Sequence, residues 1–174
     1  PFGERTVTKL IIENVKPTLW TKDSNIDVID SMGNKEAHKI AIKHRLTLEH
    51  HSYASKDSVG SGISLVVNSL TEGEGPRRSE EITGKQIAVN VDSENIDIKL
   101  TQSKVDRIVD NNKRTIGLKS RNEFKLINES DLETIVNAKN IEIRYQTNTD
   151  QMDLGNAIEN NVGEAFKVFY NQLI

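Results

Sequence analysis

Between Ala37 and His50 the chain alternates, with Ile40, Ile42, His44, Leu46 and Leu48 on one face and Lys39, Lys43, Arg45, Thr47 and Glu49 on the other. A period of two over so long a run predicts a strand with one face covered and one face wet. Antiparallel sheets show this pattern, whereas all-parallel sheets are apolar on both faces. Shorter strand-like runs follow at Ile63–Val67, Gln86–Val91, Ile96–Leu100, Val105–Val109, Thr115–Leu118 and Phe124–Ile127, after an early one at Thr6–Ile12. Val105, Ile108 and Val109 equally suit a short helical turn. Polar segments separate the runs: Asp23–Asn34, with a short extended piece at Ile26–Ile29, then Ser52–Gly62, Asp92–Asn95 and Asp110–Lys113. Asp92–Asn95 suits a hairpin.

The period changes near the C-terminus. Ser130-Asp-Leu-Glu133 has the form of a capping box, in which the serine hydroxyl and the glutamate carboxylate satisfy each other's backbone amides, and it opens a short helix carrying Leu132, Ile135 and Val136. After a strand at Ile141–Tyr145, the residues Leu154, Ile158, Val162, Phe166, Phe169, Tyr170 and Leu173 fall on one side of a helix. That stripe needs an apolar surface, and a one-side-wet sheet supplies one. The expected fold is therefore α+β: a mostly antiparallel sheet of about seven to nine strands, curved or in two layers, with a short helix near 131–138 and a C-terminal amphipathic helix packed on it. This general plan resembles pleckstrin-homology-like modules, in which a bent sheet is closed by a final helix. The helix and strand between Ser130 and Tyr145 depart from that layout, and no motif carries the resemblance.

Composition sets bounds on this picture. A chain of 174 residues can bury a core without a disulfide or metal staple, so residues 1–174 read as one domain, with a mobile loop or boundary at 71–81 where two glycines, a proline and charges gather. Apolar residues make up 35% and aromatic ones only 5%, so the core is built mainly from Ile, Val and Leu. A formal net charge of -3, with both signs interspersed, gives no general field for nucleic acid or anionic lipid, and nucleic acid is not an expected partner. There is no cysteine, and no apolar run approaches the roughly 20 residues of a membrane-spanning helix. The chain reads as soluble. Its start at Pro1 fits a processed N-terminus, leaving both cytoplasmic and secreted locations open.

Candidate chemistry is sparse. The four histidines, His38, His44, His50 and His51, lie close in sequence, but in a strand the three on one face are spaced at roughly 20 Å intervals, too far to share an ion. No metal or cofactor is expected. Asp23, Asn25 and Asp27 have the spacing of the first ligands of a calcium loop, yet Val28 stands where the turn glycine belongs and Asn34 where the bidentate glutamate belongs. Neither a Walker loop nor a dinucleotide fingerprint nor a nucleophile elbow occurs. Arg77 and Arg78, beside the glycine loop, and His50 and His51 are the candidate binding residues. Phe166, Phe169 and Tyr170 read as core rather than as an exposed anchor, because they continue the helix stripe. The function these observations favour is a non-catalytic protein-binding or structural module, using loops or a sheet edge against another protein. Two alternatives stay open: a hydrolase or lyase with His44 or His50 as general acid or base, and a small-ligand or lipid carrier.

Overall fold

A computed structural model describes residues 6–11, 18–29, 32–54, 59–73, 77–153 and 159–173. Within these described residues, ten strands form two antiparallel sheets. In the six-stranded sheet, β3 (Lys35–Ala54) is flanked on one side by β1 (Thr6–Ile11) and β2 (Thr18–Ile29), and on the other by β4 (Val59–Glu72), β8 (Thr115–Leu126) and β7 (Ile98–Val109) in that order. The four-stranded sheet has the order β10 (Gln151–Asp153), β9 (Ile141–Thr147), β5 (Gly84–Val91), β6 (Glu94–Ile96). A 3-10 turn at Ser79–Glu81 precedes β5, and two helices, α1 (Asp131–Val136) and α2 (Glu159–Leu173), complete the described elements.

The inner face of β3 is as expected, with Ile40, Ile42, His44, Leu46 and Leu48 all buried, but the other face is only partly wet: Arg45 is exposed, Lys43 and Thr47 are half-buried, and Glu49 is buried. Leu46 and Leu48 join inward-facing Leu65, Val67, Phe124 and Leu126 of the same sheet and Ile87, Val89, Val91, Ile143 and Tyr145 of the small one in the main core. Both helices add to this core through Leu132, Ile135, Phe166 and Phe169. The helix stripe is thus confirmed over its described part, with Tyr170 and Leu173 half-buried at its margin. Leu154, Ile158 and the side chain of Val162 lie outside what the structure describes.

Several expected boundaries shift, each for a physical reason. Asp23–Asn34 was expected as a connection, but β2 runs through it to Ile29, paired along its length with β3. An edge strand bonds on one side only and tolerates polar residues, so pairing overrides composition. Likewise β3 and β4 extend into the turn expected at Ser52–Gly62, reaching Ala54 and starting at Val59. The two pairs of short runs at 96–109 and 115–127 fuse into the long strands β7 and β8, with register irregularities at Leu100/Gln102 and Ile108/Val109. Of the segment 71–81, Thr71 and Glu72 end β4, Ser79–Glu81 form the 3-10 turn, and 74–76 are outside the described residues. The capping box does not form. Ser130 has helical angles (φ -61, ψ -20) and makes no side-chain cap bond. The turn has already begun upstream, so the amides of Asp131 and Leu132 donate to the carbonyls of Asn128 and Glu129.

The β5–β6 hairpin closes through Asp92 and Ser93, whose φ values of 48 and 72 are those of a two-residue type I′ turn. Only Asp97 separates β6 in the small sheet from β7 in the large one, so a nearly continuous strand changes sheets there. That crossing places β7 at the margin of the large sheet.

Candidate functional site

Inside the molecule, one register row of the large sheet is polar. His44, Ser69 and Ser120 are opposite one another on β3, β4 and β8, and all three are buried. The row separates the main apolar core from a smaller cluster of Ile40, Ile42, Ile82 and Leu118. His44 Nδ1 and Ser69 Oγ share a hydrogen bond of 2.7 Å, and the Tyr145 ring stacks edge-on against the imidazole with centroids 5.6 Å apart. Burial pushes the Tyr145 phenol well above its ordinary range, with the nearby Ser69 hydroxyl acting the other way. Asn122, one row along, is the busiest polar group. Its oxygen accepts from the Gly84 amide (2.8 Å) and the Ser103 hydroxyl (2.6 Å), and its nitrogen donates to the carbonyls of Val67 (3.2 Å) and Ile82 (3.1 Å). Because an amide N–H can only donate, the Gly84 bond fixes which way the carboxamide points. A Cβ at residue 84 would sit 2.7 Å from Tyr145 Oη and 2.8 Å from Asn122 Cγ, which is why glycine starts β5.

His44 and Ser69 bond each other, Ser120 and Asn122 bond the backbone of the neighbouring elements, and Tyr145 Oη has no well-aligned partner. His44 is 1% exposed, so a substrate in solution cannot reach the residue expected as one possible general base. His50 is half-buried at the far end of the same face of β3.

The opposite face of the large sheet carries the charge. Strand pairing sets out four parallel rows across β3, β4, β8 and β7: Lys43, Leu70, Lys119, Asp106; Arg45, Asn68, Arg121, Lys104; Thr47, Val66, Glu123, Gln102; and Glu49, Ser64, Lys125, Lys99. Seven cationic side chains face three carboxylates in this grid, on a chain whose net charge is -3. In its lower half Arg121 grips Glu49 with two nitrogens, at 2.9 and 2.6 Å, and stands 3.7 Å from Glu123. The hydrogen bond to Glu49 raises the Arg121 pKa, against the lowering effect of burial. His51 Nε2 lies 2.9 Å from Glu49 Oε1, and the Ser64 hydroxyl donates to Glu123 at 3.2 Å.

In the upper half, Lys43, Arg45, Asn68, Leu70 and Lys119, with Ser69 and Ser120, line a shallow cleft of about 340 Å³. Lys43 is 2.8 Å from Glu72. Among the described residues no carboxylate comes within salt-bridge distance of Arg45, Lys104 or Lys119, and all three are exposed.

Of the binding residues expected from sequence, the structure brings only His51 to this face. His50 points to the other side, as strand alternation requires. Arg77 is half-buried and its guanidinium donates to the Gly73 carbonyl, while Arg78 is exposed at the start of the 3-10 turn. Neither belongs to the grid. Among the described residues no group of histidine and carboxylate side chains could hold a metal ion, and no helix is long and apolar enough to cross a membrane. The cations of β8 escaped sequence reading. Lys119, Arg121, Glu123 and Lys125 alternate as a wet strand face should, but Ser120 and Asn122 occupy inward positions where apolar residues would have announced the strand.

Compared with models of known protein families, with curated proteins and with solved structures, the chain matches none of them.

Proposed function

We propose that this protein is a non-catalytic protein-binding module whose partner adds an extended segment to the free edge of β7. One observation carries the reading: β7 is a 12-residue strand at the margin of the large sheet, and among the described residues its only pairing partner is β8. Nine of its residues are exposed, and its pairing with β8 is regular from Gln102 to Ile108. The outward amides and carbonyls of such a strand are a template for another chain. The two register irregularities and the charges of Lys104, Asp106 and Arg107 limit indiscriminate pairing between copies while leaving the regular stretch open.

The competing readings draw less support. An acid–base enzyme working through His44 would need access to a sealed ring, and the histidine nearest a carboxylate, His51, shares its Glu49 with a bidentate arginine. A carrier would need empty space between sheet and helix, where Phe166, Phe169, Tyr145 and Phe124 are packed together.

A displayed library of random linear peptides, selected on the full-length protein, tests this reading. Amide chemical-shift mapping of the selected binders is expected to mark β7 and its neighbour β8. Binders that consistently map elsewhere, or a turnover abolished by His50→Ala in a folded variant, would overturn it.

A further inference from the structure

We propose that the segment accepted by β7 is acidic, its carboxylates engaging the cationic outer face of the large sheet. This rests on the edge-pairing reading above and adds the chemistry of the partner. A strand laid beside β7 would present alternate side chains to the same face as Lys104, spaced about 6.6–6.8 Å apart. The grid row behind Lys104 continues with Arg121, and the row above it holds Lys119 at the mouth of the cleft. Neighbouring strands lie about 4.8 Å apart, so long acidic side chains on the added strand reach Lys104 directly and Lys119 and Arg121 at two strand spacings, about 10 Å, while Lys43 and Arg45 on β3, four spacings away, add only to the field of the face.

Charge complementarity selects this occupant. The face concentrates positive charge on a chain that is acidic overall, and Arg45, Lys104 and Lys119 have no carboxylate partner among the described residues. Asp106 is the one carboxylate of β7 within the grid, and it marks a position where the partner should carry a neutral or basic residue. Single-stranded nucleic acid would bring the same sign of charge, but it is held by aromatic side chains on which bases stack, and none of the sixteen grid positions is aromatic.

The experiment compares labelled peptides of alternating Glu–Thr, Gln–Thr and Lys–Thr sequence, and an oligo-dT strand, on the full-length protein by fluorescence anisotropy at two salt concentrations. Variants Lys104→Glu and Lys104→Glu/Lys119→Glu change exposed side chains only, with circular dichroism melts as the folding control. The Glu–Thr peptide should bind more tightly than the Gln–Thr peptide, weaken with salt, shift β7 amides, and lose about tenfold or more in affinity with the double variant. Lysine-rich and neutral peptides binding β7 equally well would overturn the acidic assignment and leave the edge reading standing. Oligo-dT binding more tightly than the Glu–Thr peptide at the same residues would overturn it in favour of nucleic acid. A Glu–Thr peptide that binds without shifting any β7 amide would sink the edge reading itself.

Discussion

Asn122→Ala tests the internal architecture most sharply, because that carboxamide ties β8 to the turn before β5 and to β7. Truncation removes the acceptor of the buried Gly84 amide and of the Ser103 hydroxyl, together with the donor to Val67 and Ile82. Two of these losses are cushioned. The Ile82 carbonyl keeps the Ser120 hydroxyl at 2.7 Å, and Ser103 is exposed, so its hydroxyl can turn to water. The Gly84 N–H has no such recourse, and an orphaned buried donor costs about 1–3 kcal/mol. The missing side-chain volume, at a position with no exposed surface, adds about 1 kcal/mol more. The expected loss is about 2–4 kcal/mol, equivalent to a fall of roughly 5–15 °C in Tm for a domain of this size. Urea denaturation measures it directly, and the slope should stay unchanged. Ser103→Ala removes only the cushioned bond and should cost under about 1 kcal/mol. A loss below about 1 kcal/mol for Asn122→Ala at constant slope, or equal losses for the two variants, would refute the reasoning.

Two further outcomes follow from the core. Tyr145 Oη has no well-aligned hydrogen-bond partner, so Tyr145→Phe should leave the midpoint of urea unfolding unchanged or slightly raised at neutral pH. The sign of its pH effect is equally definite: the unfolded phenol ionises near 10.0 while the folded one holds its proton higher, so wild-type stability is complete below that pH and declines as pH rises above it. Alkaline denaturation curves should show Tyr145→Phe lacking that component. Phe166 and Phe169 are 1% and 0% exposed, so either alanine variant should lose about 3–5 kcal/mol by urea unfolding, and truncation after Met152 should abolish the cooperative melt. A folded, cooperatively melting truncate would show that α2 is an appendage.

The alternation of Ile40 to Leu48 and the stripe from Phe166 to Leu173 determined by themselves that this chain makes one-side-wet strands and a helix that must dock on them. Each statement needs only the periodicity of one element and the cost of leaving apolar surface in water. Continuity of β8 was hidden, since Ser120 and Asn122 are buried by partners on β4, on β5 and in the turn before β5, and no local pattern contains those partners. The same holds for the candidate surface. Lys43 and Arg45 on β3 are far in sequence from Lys104, Lys119 and Arg121 on the consecutive strands β7 and β8, and only the pairing register across β4 brings them onto one face. A strand's own residues say which side is wet; which strands stand beside it, and which edge is left open, is set by long-range hydrogen bonding and packing, and that is what the tertiary structure decided.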